Sequence, residues 1–195
     1  MKKNRNQAFT LVELLMVVAI IGLLASILIP TVGTVREKAA IASGKSQLSQ
    51  YLNAIQQFKG EYGYYPFSKG KEDYIIPLSD PTVARLFIET LSGRDTETGQ
   101  SKAVGGNRKR IAFHDFSENE LYLGDDDLTV FSQVADSFNN RNIIIMVDGN
   151  GDGFLSPEPA SAFPAPPEQK LRESITAWVE SDDINDVPAY ALWEN

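Results

Sequence analysis

From Phe9 to Ile29 every position is apolar or glycine except Thr10, Glu13 and Ser26. Wound as a helix, this stretch of 21 residues runs roughly 32 Å at about 1.5 Å per residue, which matches a hydrocarbon core of about 30 Å. Its apolar character goes all round the helix, so it is not the one-sided stripe of a surface helix. Pro30 closes the run; inside a helix it removes a hydrogen bond and crowds the preceding turn, predicting a kink or local break there. Beyond it the pattern changes. Val32, Val35, Ala39, Ala42, Leu48, Leu52 and Ile55 recur at steps of three and four, with Tyr51, Phe58 and Tyr62 as a neighbouring stripe. That spacing predicts an amphipathic helix with one buried face, ended by Gly60, Gly63 and Pro66.

The remaining chain is patterned more finely. "SDPTVARLFIETLSG" predicts a short helix with Asp80 as N-cap, Pro81 in the first turn and Gly93 at the end. Val83, Leu86, Phe87 and Leu91 form its core face. Residues 93–109 are rich in glycine and polar side chains and read as a mobile loop. "RIAFHDF" (110–116), "RNIIIMV" (141–147) and "SITAWVE" (174–180) are short β-rich runs expected as strands. "PEPASAFPAPPEQK" is a proline-rich connection, and Tyr190 and Trp193 are expected to pack back on the body. The aromatic turn "GEYGYYP" is expected to pack against the long helix. No internal repeat emerges.

Charge adds a direction. The formal net charge is −8, yet residues 1–8 hold Lys2, Lys3 and Arg5 with no acid, which leaves −11 on the remainder. Positive residues before the apolar run and an acidic body after it place the N-terminus in the cytoplasm and the body outside. Such a body repels phosphates, so nucleic acid is excluded as a partner. With no cysteine, neither disulfides nor thiolate metal sites are available, and an extracytoplasmic body must be held together in some other way. Catalysis has little to draw on: His114 is the sole histidine, beside Asp115 in "AFHDF", and no Gly-x-Ser-x-Gly nucleophile turn is present.

The apolar run is not explained by a cleaved secretory signal, because the nearest A-x-A, Ala40-Ile41-Ala42, lies far beyond Ile29 with Arg36, Glu37 and Lys38 between. A plain anchor leaves Glu13 unexplained. A carboxylate inside a bilayer costs about 2.5 to 3.5 kcal/mol at the centre and less toward the surface, so it needs a positive partner.

"A-F-T-L-V-E-L-L-M-V-V-A-I-I-G-L-L-A" resembles the N-terminal signature of type IV pilins and type II secretion pseudopilins, most closely the major, G-type pseudopilin. The resemblance implies a leader, residues 1–8, removed by a prepilin peptidase between Ala8 and Phe9, with N-methylation of the new terminus. Ala8 stands where the family usually has glycine. It implies a transmembrane and assembly helix over 9–29, and over 30–195 a periplasmic head that includes the second half of the long helix. The fold expected is α+β and pilin-like: a long N-terminal helix packed on a small antiparallel sheet, with a short extra helix and long loops. The function implied is that of a structural subunit of a periplasmic pseudopilus anchored in the inner membrane. Its expected partners are other copies, other pseudopilins, the peptidase, the inner-membrane secretion platform and lipid. A cut before Phe9 creates an ammonium four residues from Glu13, and in a staggered stack the Glu13 of one copy meets the terminus of its neighbour. The alternatives are a type IV pilus subunit and a membrane-anchored extracytoplasmic calcium binder. Type IV pilins often close the head with a C-terminal disulfide, which this chain cannot form, so the pseudopilin reading leads.

"DGNGDGFLSPEP" is the richest stretch chemically. Asp148, Asn150 and Asp152 alternate before Gly153, the first half of a Ca²⁺ loop, with Phe154 offering a carbonyl and Ser156 a hydroxyl. At the twelfth position, where such a loop wants a bidentate glutamate, stands Pro159; Glu158 falls one place early. Asp-Gly and Asn-Gly also favour plain hairpin turns. The resemblance adds Ca²⁺, since major pseudopilins bind it in the C-terminal part of the head; Asp182, Asp183 and Asp186 are further candidates to close the site.

Overall fold

The computed structural model describes residues 11–68, 70, 72–124, 128–160, 163–182 and 187–194. In chain order it contains α1 (Leu11–Tyr62), β1 (Tyr74–Pro77), α2 (Pro81–Ser92), a 3₁₀ turn (Glu118–Glu120), β2 (Leu121–Leu123), β3 (Thr129–Val134), β4 (Ile143–Val147), β5 (Ile175–Val179) and β6 (Tyr190–Ala191). Two compact units divide the chain, residues 1–39 and 40–195, with the boundary inside α1. Helix, short helix and antiparallel strands make the fold α+β and pilin-like, as expected.

In the first unit the described residues form helix alone. The helix is continuous through Pro30, so of the kink or local break expected there the break does not occur; a proline forgoes only one i→i−4 bond. Val32, Val35 and Ala39 are exposed, against the expectation that the buried face begins at Val32. A stripe is buried only where another element lies opposite it, and this unit offers none.

In the second unit the stripe takes effect. Gly44, Gln47, Leu48, Tyr51, Leu52, Ala54, Ile55 and Phe58 are buried at helical spacing, while Ala42 is exposed. Gly63, at φ 79°, ends α1 by donating its N–H to the Lys59 carbonyl, the left-handed stop that glycine permits. α2 forms as its sequence predicts: the Asp80 carboxylate accepts from the N–H groups of Thr82 and Val83, Pro81 opens the helix, and Gly93 closes it at φ 66°. Phe87 and Leu91 are buried, as are Ala84 and Ile88, with Val83 and Leu86 half-buried.

A four-stranded antiparallel sheet has the order β1-β4-β5-β6, and β2 and β3 form a separate hairpin. β4 alternates, with Ile143, Ile145 and Val147 buried and Ile144 and Met146 half-buried, the pattern of a strand with one face on the core. β5 pairs with it from Ile143↔Val179 to Val147↔Ile175 and is buried at all five positions. One core joins Tyr51 and Ile55 of α1, Phe87 and Leu91 of α2, the inner residues of β4 and β5, and Tyr190 of β6. As expected, the C-terminus packs back: Tyr190 is buried and the rings of Trp178 and Trp193 meet edge to face at 5.6 Å.

Two further expectations are corrected. Residues 110–116 form no strand; the N–H groups of Phe113 and His114 both donate to the Leu91 carbonyl, and that of Ile111 donates to the Asn107 side chain. The β-rich residues are there because Phe113 and Phe116 pack on the core, which an irregular segment achieves as well as a strand. Residues 93–109 are not a mobile loop either. Arg94 and Ser101 bridge within the segment, the Lys102 N–H donates to the carbonyl of Gly93, the C-cap of α2, and the Asn107 amide donates to the Thr90 carbonyl of α2 and to that of Ile111.

Gly44 lies where the Tyr190 hydroxyl meets the α1 backbone, and a Cβ there would overlap that hydroxyl. Gly44→Ala is therefore expected to lower stability by about 1 to 3 kcal/mol, although alanine is the better helix former by roughly 1 kcal/mol. Urea unfolding of the full chain in detergent micelles, followed by tryptophan fluorescence, checks this; a variant as stable as the parent refutes the close packing.

Candidate functional site

The N-terminal helix carries the first candidate site. Between Leu11 and Ile29 its large side chains are exposed on every side, from Leu11 (78 %) through Met16 (61 %) to Ile29 (74 %). An apolar surface of that extent demands lipid or other apolar helices, and by length and composition the helix is fit to cross a membrane. The Ser26 hydroxyl donates to the Leu23 carbonyl at 2.7 Å, so one of the polar groups in the run is satisfied by its own backbone. Glu13 sits in the first turn of α1, where the helix dipole favours an anion. Ala8 and Phe9, the expected processing site, lie outside the described residues.

The acidic loop is the second candidate. Asp148 closes it from within: one carboxylate oxygen accepts from the Gly151 N–H at 2.6 Å, the other from Gly153 at 2.9 Å. Asn150 and Asp152 each accept from the N–H two residues on, at 2.7 and 2.8 Å. Asp148 is buried, whereas Asn150, Asp152, Phe154 and Glu158 are exposed. The residues thus form a ladder of side-chain-capped turns that needs no ion to hold its shape. Among the described residues no three of Asp, Glu, His or Cys gather as a metal-holding group, so Glu158 does not join Asp148 and Asp152 in one. The loop also backs onto 72–74, a contact invisible in the sequence: the Asn150 N–H approaches the Asp73 carboxylate at 3.4 Å, and a Cβ on Gly149 would overlap the Glu72 carbonyl.

Asp182 cannot complete that loop. Asp148 donates its N–H to Ser174, just before β5, while Asp182 follows the far end of β5, where Glu180 bonds Asn142. A five-residue strand and its flanks separate them by on the order of 20 Å. Asp183 and Asp186 lie outside the described residues.

Two buried polar clusters were missed by sequence reasoning. In the first, Asp136 accepts from the N–H groups of Phe138 and Asn140 at 2.8 and 2.9 Å and from the Tyr190 hydroxyl at 2.9 Å. Burial nonetheless raises the Asp136 pKa above the usual carboxylate value, and burial beside that carboxylate pushes Tyr190 far up. In the second, Glu89 on α2 binds Lys102 at 2.8 Å and Arg85 at 3.1 Å, and Lys102 also reaches Asp95 at 2.9 Å. Burial acts to raise the Glu89 pKa, but the bonds from Lys102, Arg85 and the Thr96 N–H outweigh it and leave it lowered. The sole histidine has a structural setting: its Nε2 lies 2.7 Å from Glu120, and its ring packs edge-on against Tyr51 and Phe116. Glu120 is likewise raised by burial and more than compensated by its bonds from His114 and Ser117. Such clusters leave little signal in the sequence, because their partners are far apart in the chain: Asp136 meets Tyr190, and Glu89 meets Lys102.

Comparison with known proteins bears on the first site. Residues 3–29 match the family described as the prokaryotic N-terminal methylation motif. The chain is 32 % identical over 84 residues to the type II secretion system core protein G of Aeromonas hydrophila, covering 43 % of this chain and 57 % of that protein. Against the proteins of the same name from Escherichia coli and Vibrio cholerae it is 33 % identical over 82 residues and 34 % over 83, covering 42 % of this chain and 57 % of each. The chain thus spans little more than half the length of these curated relatives. No solved structure matches it significantly. The motif defines a class, proteins with a methylation-type N-terminus ahead of an apolar helix. What the chain shares with these proteins is therefore the methylation-type motif over residues 3–29 and similarity over less than half of its own length.

The lowered carboxylates set a pH dependence. A group with a depressed folded pKa contributes stability that is present above its unfolded pKa and lost as pH falls through the folded one; Glu89, Glu120 and Asp95 are of this kind. Asp136 has the opposite sign, since its raised pKa means that protonation favours the fold. Thermal stability is therefore expected to fall on acidification below about pH 4.5, the ordinary carboxylate range. Glu89→Gln is expected to lower stability at pH 7 by about 2 kcal/mol and to flatten that acid limb. Melting curves from pH 3 to 8 check both; an unchanged limb in Glu89→Gln refutes the assignment.

Proposed function

We propose that this protein is a structural subunit of a periplasmic pseudopilus in type II protein secretion, made as a precursor and cut between Ala8 and Phe9. The observation that carries the reading is a helix apolar on all sides, with Glu13 near its start, inside a methylation-type motif. In the membrane the precursor lies with Lys2, Lys3 and Arg5 in the cytoplasm and residues 40–195 in the periplasm. Cleavage by the prepilin peptidase frees the Phe9 ammonium, which the Glu13 carboxylate of an adjacent copy accepts as the subunits stack. At about 4 Å and an effective dielectric near 20 that attraction is worth on the order of 4 kcal/mol before desolvation is subtracted. The Leu, Val and Ile surfaces supply most of the cohesion, and the charge pair selects the register, as a single buried polar group does in coiled coils. The other copies, further pseudopilins and the inner-membrane platform are the partners of this step.

Mass spectrometry of the mature N-terminus is expected to find methylated Phe9; an intact Met1 would sink the proposal. Glu13→Gln is expected to abolish filaments in cells, seen by electron microscopy of sheared material, while melting of residues 40–195 in the full chain stays unchanged. Normal filaments in that variant would show that the charge is dispensable.

A Ca²⁺ ion at the 148–158 loop is a second proposal, favoured by the alternation of Asp148, Asn150 and Asp152 around one tight turn, although among the described residues no third carboxylate gathers there. Millimolar Ca²⁺ is expected to raise the melting temperature of the parent and not of Asp152→Ala. No rise in the parent removes the loop from the site.

A further inference from the structure

The turn that follows β4 holds the one Asn–Gly pair in the chain, Asn150–Gly151. Such a pair is chemically weak for a steric reason. The glycine has no side chain to shield its amide nitrogen, and that nitrogen is a single five-membered ring closure away from the asparagine Cγ. Every other asparagine with a successor precedes a residue that bears a side chain. Asn150 and Gly151 are both exposed. Gly151 has φ 78°, which disfavours any larger residue, and nothing stands within 4 Å of the place a Cβ would take. The nitrogen is therefore sterically open.

What sets this pair apart is what touches it. The Gly151 N–H carries the proton that must leave before the nitrogen can attack. It donates to one oxygen of Asp148 at 2.6 Å, within the reach required of a general base. Asp148 is buried and is held by its second oxygen, which accepts from the Gly153 N–H at 2.9 Å. On the other side of the reacting bond stands Asn150 Oδ1, where negative charge gathers once Cγ becomes tetrahedral. It accepts from the Asp152 N–H at 2.7 Å, the place of an oxyanion donor. Base, nucleophile, electrophile and donor thus share one turn and are already oriented. The next pair repeats the geometry without the chemistry. Gly153 also donates to Asp148, and Asp152 accepts from the Phe154 N–H at 2.8 Å, but the electrophile there is a carboxylate, which resists a nucleophile where a carboxamide does not.

We propose that Asn150 is a self-modification site, converted by its own turn to aspartate or isoaspartate. Asp148 takes the proton from the Gly151 nitrogen, the N–Cγ bond forms and the Cγ–Nδ2 bond breaks. The side-chain nitrogen leaves as ammonia with the proton that Asp148 took. Water then opens the resulting succinimide at either carbonyl. Nothing is oxidised or reduced, and water is the sole co-reactant. The step adds one negative charge to an exposed turn that already carries Asp148 and Asp152. Ammonia is lost to bulk water, so the change is one-way and the fraction converted marks the age of the folded chain. The pseudopilus reading is neither needed for this step nor supported by it.

The test compares the full chain in detergent micelles with a synthetic peptide of residues 146–156 in the same neutral buffer. Fragment mass spectrometry over time assigns the exchange of ammonia for water to a single residue. Folding is expected to speed the exchange at residue 150 by at least about tenfold over the peptide, a conservative share of what a positioned base contributes. Exchange in the folded chain at the peptide's rate or slower overturns the proposal, because the hydrogen bonds then only restrain the turn. Asp148→Ala is expected to return the folded chain to the peptide's rate; a variant that keeps the parent's rate overturns the base. Should Asp148→Ala lose its fold, parent against peptide decides alone.

Discussion

The body of this protein depends on one buried contact, the Tyr190 hydroxyl set between the backbone of α1 at Gly44 and the carboxylate of Asp136. It joins three places far apart in the chain: the helix, the turn between β3 and β4, and the last strand. Asp136 in turn orders its own turn through Phe138 and Asn140, and Asn140 reaches the Glu180 carbonyl beyond β5. A chain without cysteine cannot lock its C-terminus by a disulfide. Here a desolvated tyrosine–carboxylate bond and the Trp178–Trp193 pair do that work. The arrangement tolerates little change, because removing either polar partner strands the other in a low-dielectric interior.

The same economy governs the rest of the second unit. The polar stretch 93–109 is ordered because Glu89, buried on α2, needs counter-charges, and Lys102 and Arg85 supply them. Ordering this loop also places Gly105 and Gly106 beside Tyr64 at an aromatic cleft. A buried acid on one helix therefore shapes a surface several residues away. The N-terminal helix works by the opposite rule. It buries nothing within its own unit, and its exposed apolar surface is satisfied only by lipid or by its like.

Much of this was legible in the residues. The apolar run, its single carboxylate and the positive residues ahead of it mark a helix long and apolar enough to cross a membrane without any tertiary information. Asp80, Pro81 and Gly93 mark α2 to the residue, and "IIIMV" and "ITAWV" mark the two central strands, because capping and apolar density act over a few neighbours. The short strands β1, β2 and β6 were not legible; at two to four residues they are strands only because a partner lies alongside. The alternating oxygens of the acidic loop were legible as a tight turn, while of the further candidates to close it, Asp182, Asp183 and Asp186, Asp182 lies at the far end of β5 and the other two fall outside the described residues.

What the sequence alone determined is local: which segments are apolar, where helices start and stop, and the one charge placed where lipid would refuse it. Tertiary structure decided which half of the long amphipathic stripe is buried, since Leu48 to Phe58 meet a core and Val32 to Ala39 do not. It also decided that "RIAFHDF" would be an irregular strap and which distant acid would receive Tyr190. Those outcomes depend on what lies opposite a residue in space, and periodicity along a chain carries no record of that.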